Sequence, residues 1–422
     1  MKQIISTSIV AMIAALAVPA CIAQAQAPAA AASEDARLTA FLDAEFANYV
    51  KQQPQLATRL GMKQGADRWN DISDAAAAAE VAWRQASVAR MKAQFDRAKL
   101  SAEAQVNYDI WALEAERAAL ADTGRIYRPP FYSRLYSVHS QLPDFLINTH
   151  TVADATDLKN YIARVRGIPA VLDVAIARSE ASAAAGIRAP KFQIESIIAG
   201  ATQLTSGAPF GPGPDAALWA DVQAKTAALV KAGTLPQAEA DALLADARAA
   251  ILALKPAYGR VIAWAQASLA TAPSGKVGAI SLPGGAAFYA NALKLNTTTD
   301  LTADQIHAIG RKEVARIEAE QDALARKAGV KDRHAYYAER ARLFPPKPFD
   351  DAARTEYLKE ANRFVGHVRT LLPAYFGTLP AYGIEVVREP AFSEVPGGAA
   401  HASAPSPDGK RPARTYVHLV GT

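Results

Sequence analysis

The chain has 422 residues, a formal net charge of +5, 21% charged residues and a single cysteine. Without a cysteine pair the protein cannot form an intramolecular disulfide, and it cannot build a cysteine-based zinc site. Acidic and basic residues alternate along the predicted helices, a pattern that disfavours nucleic-acid binding. The length allows two or three domain-sized units with a large core.

The N-terminus is typical of an export signal. A basic start is followed by an apolar stretch up to Ala20, which is too short for a membrane-spanning helix. Ala23-Gln24-Ala25 then fits a signal-peptidase site. In the alternative interpretation, Cys21 ends a lipobox-like segment and carries a lipid anchor. We therefore predict a signal peptide over residues 1–25, an Ala/Pro tether over 26–33, and an exported, periplasmic protein with no other membrane span.

Hydrophobic periodicity and helix caps predict an N-terminal helical region over residues 34–271. Helices are expected from Glu34 to Pro54, from Ala75 to Lys99, after Ser101, from Leu142, from Asp157 to Ala185, from Ala216 to Ala232 and from Pro236 to Ala270. We expect an interruption near Pro169, and Pro256 can kink the last helix.

A Gly- and Pro-rich segment, residues 205–215, is predicted to form a surface loop. Its end, Gly211-Pro212-Gly213-Pro214-Asp215-Ala216, formally matches a dinucleotide-binding pattern. The prolines remove the backbone amides that a pyrophosphate needs, and no strand precedes the motif. Nucleotide binding is therefore not expected.

The second helical region, residues 272–422, contains the most strongly punctuated stretch of the chain. The turn Pro283-Gly284-Gly285 precedes an apolar segment, Thr302 and Gln305 form a capping box, and Gly329 fits a left-handed C-terminal cap. Helices are then predicted over 336–343 and 352–372, strands over 383–388 and 415–420, and a loop over 394–412. We predict a mainly α, multi-helix fold with a small antiparallel β element near the C-terminus.

Motifs for catalysis are absent from the sequence. There is no P-loop, no nucleophile elbow and no His-Glu-x-x-His helix among residues 1–422. His307 is expected to be a structural histidine. His401 and His418 could approach each other if their loop and strand fold back, but two histidines without a nearby carboxylate are a weak indication of a zinc site.

The chain resembles the bacterial secreted proteins of the domain of unknown function family 885 across nearly its whole mature length. The resemblance is carried by Leu60-Gly61, Asp67-Arg68-Trp69-Asn70-Asp71, Tyr108-Asp109, Leu142-Pro143-Asp144-Phe145-Leu146, His150, Tyr161-Ile162-Ala163-Arg164, Pro169, Leu172-Asp173, Leu282-Pro283-Gly284-Gly285, Phe288-Tyr289, Thr297 to Thr302, Ile306-His307, Ser406 to Pro412 and Tyr416-Val417.

The resemblance implies a helical, zinc-metallopeptidase-like hydrolase. In that family a His-Glu-x-x-Pro-Gly-His-His helix follows the strand equivalent to Tyr416-Val417, and its histidines bind zinc while its glutamate activates water. This sequence ends at Thr422, before that helix, and has His418 where the family usually has asparagine. We therefore expect an incomplete and inactive chain, with no metal or catalytic residue of its own and zinc in full-length relatives.

Candidate substrate-binding residues follow from the same resemblance. They are Phe288, Tyr289, His307, Arg411 and Tyr416. Phe288-Tyr289 and Tyr416-Val417 are expected near a cleft where backbone pairing could hold an extended peptide, and Arg411 could meet a carboxylate. In the alternative, Phe288 and Tyr289 are core residues and Arg411 lies in a surface loop. A non-catalytic periplasmic helical module that binds a peptide or protein is the competing hypothesis.

An incomplete chain would also leave two surfaces uncovered. These are its last strand and the apolar face of the helix between Thr302 and Gly329.

Overall fold

The computed structural model describes residues 33–131, 137–275, 277–343, 350–380, 382–390, 394, 398–406 and 411–420. The predicted signal peptide, Cys21 and all of the tether except Ser33 lie outside the described residues. Among the residues that are described, no helix is both long and apolar enough to cross a lipid bilayer.

Helices dominate the described chain. In the first region they are α1 (Glu34–Gln52), α2 (Pro54–Arg59), α3 (Asp74–Gln94), α4 (Ala102–Thr123), α5 (Val138–Asn148), α6 (Ala155–Ala184), α7 (Lys191–Leu204), α8 (Ala217–Lys231), α9 (Gln237–Leu252) and α10 (Leu254–Leu269). In the second region they are α11 (Gly285–Thr297), α12 (Ala303–Lys327), α13 (Arg333–Leu343) and α14 (Asp351–Leu371). The strands are β1 (Ile384–Arg388), β2 (His401–Ser403) and β3 (Ala413–Val417). The predicted mainly α fold with a small β element near the C-terminus is confirmed.

At two prolines the helices differ from those predicted from the sequence. Helix α6 continues through Pro169, so the expected interruption is wrong. Ile168 and Leu172 on either side of it are fully buried, and this packing outweighs one lost backbone hydrogen bond. The expected helix from Pro236 to Ala270 is in fact divided at Ala253. Pro256 lies in the first turn of α10, where a missing N–H leaves no helical bond unmade.

The core lies between α5 and α10. A single cluster of buried apolar side chains runs from Phe131 to Ala265, with α6 and α7 packed on α10 and α8 on α9. Its members include the fully buried Tyr161, Leu172 and Val261. A second, smaller cluster joins α1, α3 and α4 around Leu38 and Met91. The first region thus has an interior of its own.

The apolar face of α12 is largely in contact with solvent. Thr302 and Gln305 form the predicted capping box, and Gly329 adopts the predicted left-handed conformation with φ 84°. The stripe of Ile309, Val314, Ile317 and Leu324 is 43–63% exposed. The expected exposure of this face is therefore observed.

The three strands form one mixed sheet in the order β1–β3–β2. Strand β3 pairs in parallel with β1 and antiparallel with β2, so the sheet is antiparallel in only one of its two described pairs. The long connection between β1 and β3 permits the parallel pairing. Because β3 is the central strand and Tyr416 is buried, the expectation of an uncovered last strand is wrong. Strand β2 lies within the segment predicted to be a loop.

Candidate functional site

A groove of about 1030 Å³ lies where α11 approaches α4 and the start of α7. Its walls include Phe288 and Leu295 from α11, Phe192 and Gln193 from α7, and Tyr127 from the turn after α4. Five arginines and one glutamate also line it: Arg84, Arg117, Arg128, Arg178, Arg188 and Glu114. We call this surface the arginine groove.

The Pro-Gly-Gly turn positions one wall of the arginine groove. Gly284 is left-handed, with φ 66°, and a Cβ at Gly285 would lie 1.8 Å from the carbonyl oxygen of Ala279. Only glycine fits such a turn without displacing backbone. The Tyr127 hydroxyl donates to the Pro283 carbonyl oxygen at 2.7 Å, and its ring stacks on Phe288 at 4.5 Å between centroids. The turn therefore holds Phe288 against the rim of the first helical region.

The charges of the arginine groove are only partly neutralised. Arg178 pairs with Asp74, and Arg84 pairs with Glu80. Within the described part of the chain, Arg128 and Arg188 form no ion pair with a carboxylate, and both are exposed. The groove can therefore attract an anionic group.

A second cluster lies at the ends of the three strands. Glu389 follows β1, His401 begins β2, and His418 follows β3. One ligand atom from each of the three side chains lies within 4.8 Å of the other two. We call these residues the C-terminal cluster, and their donor types are those of a metal site.

The surroundings of the C-terminal cluster are electrostatically coupled. Burial raises the pKa of Asp144 on α5, and the charge of Glu389 raises it further, while His401 opposes the shift. Burial also raises the pKa of Tyr416, whose ring stacks on His401 at 4.9 Å between centroids. Asp144 and Tyr416 thus lie in the same neighbourhood as the cluster.

The structure separates the five residues predicted to bind substrate. Phe288 lines the arginine groove, whereas the neighbouring Tyr289 is exposed and does not line it. His307 lies with Arg311 in a shallow depression on α12. Tyr416 is in the core of the small sheet beside the C-terminal cluster. Nothing in the structure tests whether any of the five binds substrate, and that role stays a prediction.

Arg411 is buried and holds the last strand to the first helical region. Its guanidinium donates to the carbonyl oxygens of Arg59, at 3.1 Å, and of Thr149, at 3.3 Å. Its backbone N–H donates to the Ser406 hydroxyl at 2.9 Å. These contacts give it a structural role, and its binding of a substrate carboxylate stays a prediction.

Many of the family-like landmarks converge on Arg164, which is fully buried. Its guanidinium donates to the Arg68 carbonyl oxygen at 2.9 Å, the Thr58 hydroxyl at 2.8 Å and His150 Nδ1 at 3.0 Å. The Trp69 indole donates to the Arg164 carbonyl oxygen at 2.7 Å. Arg68, Trp69 and His150 therefore meet Arg164 at a buried, hydrogen-bonded centre of the first helical region.

Sequence reasoning missed the carboxylate of the C-terminal cluster. Glu389 stands alone after a predicted strand, with no spacing to connect it to His401 or His418. The pairing of β1 with β3 brings it there, because the Glu389 N–H donates to the Val417 carbonyl oxygen at 2.9 Å. Arg128 and Arg188, which form no ion pair with a described carboxylate, were also missed, since nothing local distinguishes them from arginines in ion pairs.

Comparisons with known proteins agree with this fold. A crystal structure from Colwellia psychrerythraea, provisionally described as a lipoprotein, matches with a TM-score of 0.75 and 18% sequence identity, over 92% of this chain and 68% of that chain. No curated protein matches the chain at a significant level. The model of the family described as bacterial protein of unknown function (DUF885) matches residues 54–422. The chain therefore belongs to the DUF885 family of bacterial proteins.

Proposed function

We propose that this chain is the substrate-holding part of an exported, zinc-metallopeptidase-like hydrolase, and that it binds peptide in the arginine groove. The order of the family-like landmarks supports the hydrolase class. The signal-like residues 1–25 support export, and acylation of Cys21 is the alternative route to the same compartment. Intact mass measurement of the mature protein distinguishes cleavage after residue 25 from lipidation.

The observation that carries the proposal is the uneven charge of the groove. Arg128 and Arg188 are available for a carboxylate, which a guanidinium binds with two parallel hydrogen bonds. Gln193 adds an acceptor, because its Oε1 is buried and has no hydrogen-bond partner among the described residues. A ligand that carries a carboxylate next to an N–H donor would fit these groups. A peptide offers this combination at an acidic side chain or at its C-terminus.

The apolar part of the groove suits peptide side chains. Phe192 is 61% exposed at its rim, and Phe288 and Leu295 face the same space. Concave sites that combine apolar walls with a few convergent polar groups are the usual form of a ligand site. The groove is large enough for several residues of an extended peptide.

Peptide binding can be tested on the full chain by fluorescence anisotropy with labelled acidic peptides. We expect Arg128→Gln and Arg188→Gln each to weaken binding by roughly 10-fold, the effect of losing about 1.5 kcal/mol of a charge-assisted hydrogen bond. Phe288→Ala should also weaken it, whereas the matched change Tyr289→Ala should not. Arg363→Gln on α14, where the arginine pairs with Glu360, is the charge control.

Equal affinities for the groove variants and the controls would reject the proposal. So would equal binding of acidic peptides and of neutral, C-terminally amidated ones. The binding should also weaken with added salt, because exposed charges are screened.

Turnover is a separate question with its own measurement. We expect bound peptide to remain intact, because the sequence contains no His-Glu-x-x-His motif to bind zinc and activate water. Mass spectrometry of the peptide after incubation with the chain and zinc tests this. Chelator-sensitive hydrolysis would show that the expected inactivity is wrong.

A non-catalytic binding module is the second candidate, and one observation favours it. The described residues that line the arginine groove include no histidine, serine, cysteine or aspartate. The groove therefore presents charge and apolar surface, with Glu114 as the carboxylate among its described lining residues and no imidazole base there. Binding without turnover, under every metal condition, would support this candidate over the hydrolase.

A further inference from the structure

We propose that Glu389, His401 and His418 bind one divalent transition-metal ion of the zinc class. One ligand atom from each lies within 4.8 Å of the other two, and His401 Nδ1 is 3.7 Å from Glu389 Oε2. Ligands at about 2.1 Å from a tetrahedral zinc ion lie roughly 3.4 Å apart. Small rotations of the side chains therefore suffice to close the site.

The donor set selects the kind of ion. Two imidazoles and one carboxylate suit zinc and its transition-metal neighbours, whereas magnesium and calcium prefer oxygen ligands. Three protein ligands leave a fourth position for water or for another side chain. Because His401 has half of its side chain exposed, an ion can enter from solvent.

Each ligand is held by the sheet. The Glu389 N–H bonds to Val417, and the His401 ring stacks on Tyr416, its partner in the β2–β3 pairing. The ring of His418 lies so close to Gly398 that a Cβ there would meet it at 2.5 Å. The strands therefore bring the three donors together before any ion binds.

The neighbours of the ligands add further support. Arg388 holds the buried Glu394 carboxylate at 2.6 Å, and this carboxylate accepts the Leu419 N–H at 2.6 Å. Arg388, next to Glu389, and Leu419, next to His418, are thus joined through the same carboxylate. Glu389 is only 3% exposed, so its carboxylate is held inside the fold beside the two histidines.

The ion would cross-link all three strands of the sheet. Strands β1, β2 and β3 have five, three and five residues, and such short strands gain little stability from their own hydrogen bonds. An ion that binds only the folded site stabilises it, and the gain grows with the logarithm of the ion concentration once that concentration exceeds the Kd. This proposal does not depend on peptide binding in the arginine groove.

Zinc binding can be measured by isothermal titration calorimetry on the untagged full chain after chelator treatment. We expect one zinc ion per chain and a higher melting temperature with zinc. His401→Ala and His418→Ala should each weaken binding by at least ~10-fold. Glu389→Gln, which preserves the side-chain shape, should weaken it as well, and His307→Ala on α12 should not.

Unchanged zinc affinity in the double variant His401→Ala, His418→Ala would overturn the proposal, as would equal affinity for magnesium. A second measurement needs no variant and therefore does not depend on variant folding. In the unmodified chain, zinc should protect His401 from modification by diethyl pyrocarbonate, read by peptide mass spectrometry, and should leave His307 unprotected. Equal modification of His401 with and without zinc would contradict the site.

Discussion

Two sets of helices, α5 to α10 and α11 to α14, have the same kind of amphipathic pattern. They differ in whether the apolar face is buried. In the first set the apolar stripes meet one another, and residues such as Leu172 and Val261 are completely buried. In the second set α13 and α14 bury no residue, and α12 buries only Ala325. Periodicity therefore predicts that a helix forms, but it does not say what covers its apolar face.

The largest expected difference between the two regions is the cost of truncating a leucine. Leu172→Ala should lower the free energy of unfolding by about 2–5 kcal/mol, because it leaves a cavity in a closed interior. Leu324→Ala, the matched change on α12 at a site 63% exposed, should alter it by less than about 0.5 kcal/mol. Urea denaturation followed by circular dichroism measures both. Similar losses would mean that the face of α12 is covered in solution.

Acid should act on the first region through His150. Burial, with the charges of Arg164 and Lys225, lowers the pKa of His150 to about 3. In the unfolded chain the ordinary value near 6.5 returns, so below pH 6.5 the unfolded state binds the extra proton. The contribution of His150 to the free energy of unfolding is therefore fully present above pH 6.5 and is lost as the pH falls towards 3.

The expected loss is about 2 kcal/mol between pH 6.5 and pH 5. Urea titrations at several pH values over this range give the free energy of unfolding of the unmodified chain and of His150→Gln. The difference between the two slopes of that free energy against pH is the contribution of His150. The slope of the variant should be shallower. Identical slopes would show that His150 is not held neutral beside Arg164.

The sequence predicted the elements better than the contacts between them. The cap of Thr302, the left-handed Gly329 and the strands near Ile384 and Tyr416 are local features, and each was located from neighbouring residues alone. By contrast, Val106 and Ile110 on α4 mark a regular apolar stripe, yet both are more than half exposed. The partner of a stripe depends on distant chain segments, and one sequence does not encode that partner in any short pattern.

The candidate site follows the same rule. Phe288 was named on the family resemblance, and His401 and His418 were noted because their loop and strand could fold back on each other. Glu389 was not, because the register of β1 against β3 brings it to the histidines. Residues that a long-range pairing assembles into a site carry no spacing signal.

The smallest effect concerns the start of α12. Thr302→Ala removes the hydroxyl that accepts the Gln305 N–H and breaks the capping box, which should cost about 1 kcal/mol. Since α12 has few buried contacts, the loss should be local, and amide hydrogen exchange of its first turns should accelerate by roughly 5-fold. Thr355→Ala on α14 is the control, because that hydroxyl donates back to the Asp351 carbonyl oxygen within the helix and caps nothing. If exchange accelerated equally in α6, the two regions would unfold as one unit, and their contrast in packing would not be a contrast in stability.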